Sequence, residues 1–420
     1  MNGSGGWSPL SSVTAERIRD SVRPERLREL VRLNRPRPPA GGPRTKPQIL
    51  WGRVRPHVLA ALPAWVIARF LVLVGWLIAH FGAGDHVNTL HGLFAWDGSW
   101  YRQIATTGYT SSNYGCRPGL QSAFLCKNLR FFPLYPLLGR WFGALLLGNT
   151  GLALILLANI PALGLAALAH HLCLSETGDR TFARRVAWFM ALTPPAFVLV
   201  LGYSEALSLA AAMVVILCAR RQQWWAVAAA GFIGGLLRPV GLLLTVPVAW
   251  EALHVKGRKD LGPRLAAVAA PLAATGVYLL WVWARFGNAL LPYSVQNIPM
   301  LRGHTDNPVT VVIRALAAVT TGHVGHQGHE ITVLVLVVLV LLCWSRWPTA
   351  YALFATVSVG AALAAQYLGS LERYGFDAFP LVFVAAGLFR SEKANRIVLV
   401  LFGAGMIAYV AAAFWGAYVP

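Results

Sequence analysis

Long apolar segments separated by short polar connections occupy most of this sequence. They have roughly 17–25 residues each, the length that a helix needs to cross about 30 Å of hydrocarbon. Because backbone polar groups in lipid must pair within their own segment, each apolar segment predicts a helix. The segments lie at 58–80, 150–173, 183–201, 203–219, 224–238, 239–255, 264–284, 330–345, 348–367, 375–390 and 396–416. The pattern predicts an all-α polytopic membrane protein with about eleven transmembrane helices.

One further apolar segment, 131–148, reads FFPLYPLLGRWFGALLLG. Counting it as a span would reverse every later connection and place the basic ones outside the cell. We therefore interpret it as an interfacial helix that lies in, or dips into, the outer membrane interface, with a true span as the alternative. It belongs to the first of two long outer loops, 81–149 and 285–329.

The composition agrees with a membrane protein. Of the 420 residues, 56% are hydrophobic and only 12% are charged, and the mean hydropathy is +0.56. Soluble proteins have about 25% charged residues. The first apolar segment begins near residue 58, too far along the chain for a cleavable signal peptide.

The net charge is +20, and much of it lies in segment 1–57. Residues 14–33 repeat apolar positions at near-helical intervals, and residues 34–47 have the Pro- and Gly-rich composition of a disordered linker. We expect this basic arm to lie in the cytoplasm and to meet anionic membrane lipids, and we predict no nucleic-acid partner. The predicted domains are this arm, 1–57, and a transmembrane domain, 58–420.

Lysine and arginine are unevenly distributed between alternate connections. They are concentrated in the N-terminal arm and near residues 180–185, 220–221, 256–259, 346 and 390–396. By the positive-inside rule this set faces the cytoplasm, with the N-terminus inside and the C-terminus outside. The other connections, including both long loops, then lie on the extracytoplasmic face.

Four ionisable residues from separate parts of the chain fall on that outer face. Asp97 lies in FAWDGSWYRQ, Glu205 in GYSEAL, Arg238 in LLRPVG and Arg373 in LERYGFDAFP. An ionisable group near lipid is costly and usually marks a functional site. We therefore predict that the four side chains are neighbours in one outer cavity.

Each of these residues also has an ordinary structural interpretation. Asp97 is suited to cap the helix that follows it. Glu205 is suited to the first turn of a helix capped by Ser204, where the helix dipole favours an acid. Arg238 fits a kinked turn whose side chain reaches the interface. Arg373 has two acids close by in sequence, Glu372 and Asp377, with which it could pair. The conjunction of all four on one face favours a site over four independent accidents.

Transfer of a sugar from a lipid-linked phosphate to a hydroxyl group uses this combination of residues. Its transition state resembles an oxocarbenium ion, and phosphate leaves without being protonated, so one general base is enough. We predict Asp97 as that base, and Arg238 and Arg373 with Tyr374 as ligands of the phosphate. The predicted sugar and acceptor contacts are Glu205, Trp96, Trp100, Tyr101 and Tyr203, although an interfacial belt is the commoner use of such aromatic residues.

Six motifs occur in the order seen in PIG-V-type mannosyltransferases, relatives of GPI mannosyltransferase 2 in the GT-C class of glycosyltransferases. They are WDGSWYRQIATTGY, FFPLYPLL, LTPPAFVLVLGYSEAL, GFIGGLLRPVGLLL, ARFGNALLPYSVQ and ERYGFDAFPL. The chain resembles this family from about residue 90 to residue 390. No single motif would be sufficient, but the combination is specific.

The resemblance implies a GT-C-like fold, a polyprenyl- or dolichyl-phosphate mannose donor, inverting transfer and a catalytic acid in the first outer loop, which by motif match is Asp97. One position departs from the family, because Asn288 stands in FGNAL where an acid is common. The Ala, Leu, Arg and Gly bias is typical of a high-GC bacterium, in which a GPI anchor is not a plausible acceptor. The resulting hypothesis is a bacterial plasma-membrane mannosyltransferase whose acceptor hydroxyl belongs to a glycan, glycolipid or protein.

Two other functional classes stay open: a transporter or flippase of lipid-linked sugars, and a noncatalytic subunit of a glycosylation complex. Transporter folds usually show inverted repeats and polar sites near the membrane midplane. The sequence has no evident repeat, and its charged groups collect at one face, so the enzyme is favoured.

Two small motifs are less decisive. TGHVGHQGHE spaces His323, His326 and His329 three residues apart, which permits a zinc or nickel site, but the glycines favour no metal role. We predict no cofactor, and no metal at the active site. Cys116 and Cys126 share the first outer loop and either form a disulfide, if that side is oxidising, or stay free.

Overall fold

The computed structural model describes residues 47–82, 92–109, 126–257, 260–298, 301–325 and 328–417. These residues form helices and connecting turns, with no strand among them. The helices are α1 (Pro47–Gly82), α2 (Asp97–Thr107), α3 (Leu134–Leu145), α4 (Thr150–Thr177), α5 (Arg180–Leu192), α6 (Glu205–Arg220), α7 (Trp224–Leu237), α8 (Thr245–Leu253), α9 (Leu261–Phe286), α10 (Leu291–Ser294), α11 (Pro308–Thr320), α12 (His329–Arg346), α13 (Thr349–Leu363), α14 (Leu371–Asp377), α15 (Pro380–Leu388) and α16 (Glu392–Phe414). Short 3₁₀ helices lie at Lys127–Arg130, Pro194–Leu199, Pro239–Leu244 and Val295–Asn297.

Five of these helices are long and apolar enough to cross a membrane: α1 from Val54 onward, α4, α9, α12 and α16. The six other predicted segments contain shorter helices, of which α6 is the longest with 16 residues. The structure therefore does not confirm about eleven full-length spans. Prolines account for part of the difference, because Thr193 before Pro194 and Arg238 before Pro239 adopt extended ψ angles of 133° and 153° that end α5 and α7.

The apolar segment 131–148 contains the 12-residue helix α3. Such a helix is about 18 Å long, well short of the bilayer hydrocarbon. Tyr135 and Gly139 are buried on one face of α3, whereas Trp141 and Leu145 are exposed on the other. This amphipathic arrangement favours the interfacial interpretation over a true span.

The second long loop of the sequence prediction, 285–329, contains helices that the sequence analysis did not predict. It contains α10 and α11, and α11 has 13 residues. Val309, Ile313 and Leu316 form an exposed apolar stripe on α11, while Val311 and Ala315 are buried. A stripe of this kind is typical of helices that lie at a membrane interface.

Helix α6 connects two charged networks at its opposite ends. Glu205 is its first residue and Arg220 its last, about 22 Å apart along a 16-residue helix. At the Arg220 end, the guanidinium lies 2.8 Å from Glu176 Oε1 in α4 and 3.3 Å from Glu251 Oε1 in α8. The basic residues Arg220 and Arg221 therefore lie at the end of α6 away from Glu205.

Helices α7 and α9 approach each other closely through glycines on α7. Gly231 and Gly235 are four residues apart, and a Cβ at Gly235 would lie 2.6 Å from the Pro271 carbonyl oxygen and 2.8 Å from Ala274 Cβ in α9. Small residues at this spacing let helix backbones pack in contact. The packing fixes the C-terminal end of α7, where Arg238 follows.

Aromatic side chains attach the described part of loop 81–149 to α9. The Tyr101 ring lies 5.0 Å from Phe131 and 4.9 Å from Tyr135, both at steep angles, and Phe132 lies 4.7 Å from Tyr278 in α9. All five residues are buried. Edge-to-face pairs of this kind stabilise packing beyond the area that they bury.

Several sequence predictions concern residues outside the described part of the chain. These include most of the basic arm 1–57, as well as Cys116 and His326. Helix α1 begins at Pro47, before the predicted start of the transmembrane domain at 58. Cys126 is disulfide-bonded, whereas Cys173, Cys218 and Cys343 are free.

Candidate active site

Asp97 is the first residue of α2, and the segment before it is held from two sides. Tyr203 Oη donates a hydrogen bond to the Ala95 carbonyl at 3.0 Å, and Trp96 Nε1 donates to the Ala413 carbonyl in α16 at 3.3 Å. Trp96 has φ 55° and ψ −114°, a conformation that a non-glycine residue adopts only when its surroundings impose it. Strain of this kind is concentrated at functional sites.

The side chain of Asp97 does not cap a helix. Trp96 occupies the N-cap position of α2 and makes no side-chain capping bond. Instead, Arg373 Nη1 in α14 donates to Asp97 Oδ2 at 2.6 Å, and Arg130 Nη2 lies 3.5 Å from Asp97 Oδ1. The Asp97 side chain is 19% exposed, so a ligand can reach the carboxylate although it is paired.

Glu205 occupies the centre of the site and is almost fully buried, with 1% exposure. Its Oε1 lies 2.5 Å from Arg238 Nη1 and 3.2 Å from Arg373 Nη1. Its Oε2 is buried without a hydrogen-bond partner among the described residues. On its other side, Arg238 Nη2 lies 2.9 Å from Asp377 Oδ2.

These contacts form one continuous series of alternating charges, which we call the charged chain. Its members come from loop 81–149, the start of α6, the end of α7 and α14. In order of contact they are Arg130, Asp97, Arg373, Glu205, Arg238 and Asp377. The formal charges cancel, which is the condition for placing so many ionised groups in a poorly hydrated site.

The electrostatics of the charged chain keep Asp97 ionised. Burial raises the pKa of Asp97, but the guanidinium groups of Arg373 and Arg130 lower it by more, and the pKa ends below its ordinary value. Asp97 is therefore a carboxylate at neutral pH. A carboxylate that is ionised and partly exposed is able to accept a proton from a ligand.

The structure brings together the four charged residues that the sequence analysis singled out. The local alternative for Arg373 is wrong for Glu372, because Glu372 Oε1 bonds to His329 Nδ1 at 3.0 Å. It is also wrong for Asp377, whose carboxylate pairs with Arg238. The pairing is long-range because α14 and the first outer loop meet at the same end of the helices.

Two of the predicted aromatic contacts lie inside the protein. Tyr101 is 5% exposed, and its hydroxyl group forms a 2.8 Å hydrogen bond with Ser204 Oγ. Burial raises the pKa of Tyr101 above its ordinary value, so the phenol is neutral. Tyr203 is 1% exposed, and the Arg373 guanidinium lies 5.5 Å from its ring centroid. Both residues therefore lie on the buried side of the site.

The other predicted aromatic residues are nearer the surface. Trp96 is 36% exposed, and Trp100 is half-buried and stacked on Phe131 at 6.0 Å. Tyr374 is also half-buried, and its ring centroid lies 5.3 Å from the guanidinium of Arg373, its neighbour in α14.

Sequence reasoning missed Arg130. It precedes the apolar segment 131–148 and has no distinguishing local pattern, since a single cation before an interfacial helix is common. Its proximity to Asp97 arises from the tertiary packing of Phe131 against Tyr101.

Comparison with known proteins gives similarity in structure only. No protein-family model and no curated protein matches this chain. The chain is similar to the archaeal oligosaccharyltransferase AglB from Archaeoglobus fulgidus in complex with an inhibitory peptide and a dolichol-phosphate, with a TM-score of 0.44, 13% identity and coverage of 88% of this chain and 56% of that chain. For the apo form of the Archaeoglobus fulgidus oligosaccharyltransferase, the TM-score is 0.44 at 14% identity, with coverage of 86% and 56%.

A third structure is the same archaeal enzyme tethered to an acceptor peptide containing the NVT sequon via a disulfide bond. Its TM-score is 0.42 at 14% identity, with coverage of 88% of this chain and 56% of that chain. This chain thus spans a little over half the length of the archaeal enzyme. Its activity and substrates have to be argued from its own residues.

The described residues contain no group of three His, Cys, Asp or Glu side chains arranged to hold a metal ion. Of the histidine motif, His323 is exposed and lies 3.1 Å from Thr321 Oγ1, and His329 is bonded to Glu372. His326 is outside the described residues.

Proposed function

We propose that this chain is an integral membrane glycosyltransferase of the GT-C type. In this proposal it transfers a mannosyl residue from a polyprenyl-phosphate-mannose donor to an acceptor hydroxyl group, with inversion. The observation that carries the proposal is the charged chain, in which a partly exposed carboxylate, Asp97, lies beside the guanidinium groups of Arg373 and Arg130. The family motifs in the sequence supply the choice of mannose and of the polyprenyl phosphate.

Asp97 acts as the general base. The acceptor oxygen attacks the anomeric carbon while its proton passes to Asp97, and the electron pair of the breaking C–O bond moves to the phosphate. Oδ2 of Asp97 is engaged by Arg373 at 2.6 Å, so Oδ1, with only the 3.5 Å contact to Arg130, is the oxygen that takes the proton. Guanidinium groups beside the phosphate stabilise the charge that develops on it.

The contacts divide the arginines into different roles. Arg238 is 7% exposed and is held between Glu205 and Asp377, so it positions Glu205. Arg373 orients Asp97 and keeps it ionised. Trp96 and Trp100, the more exposed aromatics on either side of Asp97 in sequence, offer faces for the sugar or the acceptor. The proposed reaction uses no metal ion and no cofactor.

The proposed location of the reaction is the extracytoplasmic face of a bacterial plasma membrane. The five long apolar helices support membrane integration. Glu205 and Arg220 lie at opposite ends of α6, and the positive-inside rule assigns the Arg220 end to the cytoplasm. A lipid-linked donor would then reach the site from the outer leaflet.

The experiment is incubation of the purified protein in nanodiscs with polyprenyl-phosphate mannose and a panel of hydroxyl acceptors, followed by identification of the product. Asp97→Asn is expected to abolish sugar transfer while the protein stays folded. Asp179→Asn is the matched control, because Asp179 is an exposed helix cap and asparagine caps equally well. Polyprenyl-phosphate glucose tests the choice of sugar.

Three results would contradict the proposal. Turnover by Asp97→Asn at the wild-type rate excludes Asp97 as the base. Movement of lipid-linked sugar across the membrane without product formation favours the transporter or flippase. Product formation only in the presence of another protein favours a noncatalytic subunit.

A further inference from the structure

Arg130 lies at the open end of the charged chain. Its side chain is 15% exposed, compared with 9% for Arg238 and 5% for Arg373. Among the described residues its one ion pair is the 3.5 Å contact with Asp97, and its buried Nε has no hydrogen-bond partner. Arg373 also has an unpartnered buried Nε, but it contacts two carboxylates and is less exposed, so Arg130 is the guanidinium of the site that a ligand reaches most readily.

The backbone that carries Arg130 is held rigidly. Asn128 Nδ2 donates to the Tyr109 carbonyl at 2.7 Å, and Tyr278 Oη donates to the Leu129 carbonyl at 2.6 Å. Cys126, at the start of this turn, is disulfide-bonded. A charged side chain on a backbone fixed in this way is a suitable arrangement for binding an anion without reorganising the fold.

The other two arginines are less available to a ligand. Arg238 is shared between two buried carboxylates, Glu205 and Asp377. Arg373 donates through one nitrogen, Nη1, to both Asp97 and Glu205, and aromatic rings flank it on two sides. Removing either arginine from its carboxylates would leave a buried charge unpaired, which is strongly unfavourable.

We propose that Arg130 binds the phosphodiester of the lipid-linked donor, and that it releases Asp97 Oδ1 when it does so. The inference rests on the proposed function and names the phosphate contact of that same site. The donor phosphodiester carries one negative charge and matches the guanidinium fork. Donor binding would thereby free the oxygen that accepts the proton.

The chemistry balances in this scheme. The acceptor O–H bond breaks and its proton goes to Asp97 Oδ1, while the acceptor oxygen forms a bond with the anomeric carbon. The electron pair of the sugar–phosphate C–O bond goes to the phosphate, whose charge changes from −1 to −2. Arg130 stabilises this additional charge, so it contributes to binding and to the transition state.

The test is the affinity of the purified protein for polyprenyl monophosphate, measured in nanodiscs of neutral lipid. Arg130→Ala is expected to weaken binding roughly tenfold to a hundredfold, the range for losing a charge-assisted hydrogen bond. Arg130→Lys keeps the charge and should bind within a few-fold of the wild type. Arg285→Ala is the matched control, because Arg285 is an exposed cation at the end of α9.

A second variant is expected to have the opposite effect on affinity. Asp97→Asn removes the charge that competes for Arg130, so it should bind polyprenyl monophosphate at least as tightly as the wild type while being inactive. Equal affinity of Arg130→Ala and the wild type would overturn the inference and leave the proposed function intact. A wild-type protein that does not bind polyprenyl monophosphate would overturn both.

Loss of folding is controlled with a second pair of variants. If Arg130→Ala lowers the melting temperature markedly, Arg130→Gln and Arg130→Lys are compared, since both retain the length and hydrogen-bonding tip of the side chain. The inference is supported if Arg130→Gln binds polyprenyl monophosphate more weakly than Arg130→Lys does. It is overturned if the two variants bind with equal affinity.

Discussion

The Nη1 atom of Arg373 lies 2.6 Å from Oδ2 of Asp97, although the two residues are 276 positions apart in the chain. This contact connects the start of α2 to the short helix α14. The same nitrogen lies 3.2 Å from Glu205 Oε1, so one guanidinium orients the exposed carboxylate and the buried one together. Movement of α14 would therefore displace Asp97 and remove one of the cations that lower its pKa.

The first prediction concerns the pH dependence of stability. The pKa of Asp97 in the folded protein is lowered by Arg373 and Arg130 against the opposing effect of burial. An unfolded aspartate titrates near pH 3.9, so the stability due to Asp97 is present above about that pH and is lost as the pH falls through the lower folded pKa. The melting-temperature difference between wild type and Asp97→Asn should be constant from about pH 5 to 7 and shrink only below about pH 4.

The control for this measurement is Asp179→Asn, which leaves the charged chain unchanged. A difference that already declines near pH 6 would contradict the prediction.

The charged residues of the site were predictable because charge is rare in an apolar sequence. Asp97, Glu205, Arg238 and Arg373 lie at the ends of apolar segments, and the cost of placing them near lipid identifies them. The pattern of pairing was not predictable, because Asp377 contacts Arg238 and not Arg373, its neighbour within α14. Those partners depend on how helices from distant parts of the chain meet.

The helical architecture was predictable at the level of segments but not of lengths. Every predicted apolar segment contains a helix, yet α7, α8 and α15 have only 14, 9 and 9 residues. Hydropathy depends on residue type and does not show where a helix is interrupted. The 3₁₀ turn Pro239–Leu244, for example, is as apolar as the helices on either side of it. The prolines give a local signal of these breaks, but not of the turn geometry.

The second prediction concerns Glu205→Gln. Glu205 is 1% exposed and lies between two guanidinium groups, so neutralising it leaves Arg238 and Arg373 short of negative charge in a buried site. Removing one partner of a buried ion pair costs about 3–5 kcal/mol. We expect a lower melting temperature in detergent and little or no sugar transfer.

Glu392→Gln is the matched control, because the Glu392 side chain is 86% exposed and its ion pair with Arg396 is a surface one. Such pairs contribute about 0–1 kcal/mol. Equal melting temperatures for the two variants would show that the centre of the charged chain does not hold the site together.

The third prediction concerns the network at the other end of α6. Arg220 is 2% exposed and pairs with Glu176 in α4 and Glu251 in α8. Arg220→Ala should destabilise the protein by about 3–5 kcal/mol, because it leaves buried carboxylates without their guanidinium. Affinity for polyprenyl monophosphate, measured below the melting transition, should remain at the wild-type value because the site is about 22 Å away.

Arg396→Ala provides the comparison for this variant, since the Arg396 side chain is 80% exposed. If Arg220→Ala lost affinity for polyprenyl monophosphate without losing stability, the donor would bind at the Arg220 end of α6 and not at the Glu205 end.

The fourth prediction concerns the glycine of the RPVG turn. A Cβ at Gly241 would collide with the carbonyl group of Gly234 in α7, and the Gly241 N–H bonds to the Arg238 carbonyl at 3.0 Å. Gly241→Ala must therefore displace the turn that positions Arg238 against Glu205. Overpacking of this kind costs about 1–3 kcal/mol. We expect reduced stability and at least a tenfold loss of sugar transfer, since roughly 1.4 kcal/mol of transition-state stabilisation corresponds to a factor of ten.

Gly276→Ala separates this effect from a general intolerance of alanine. Gly276 lies within α9, and a Cβ there meets no other atom within 4 Å. Alanine also favours helix over glycine, so this variant should be as stable as the wild type or slightly more stable. Full sugar transfer by Gly241→Ala would mean that the turn tolerates the displacement and that the position of Arg238 does not limit the reaction. Arg238 would then not have the positioning role proposed for it.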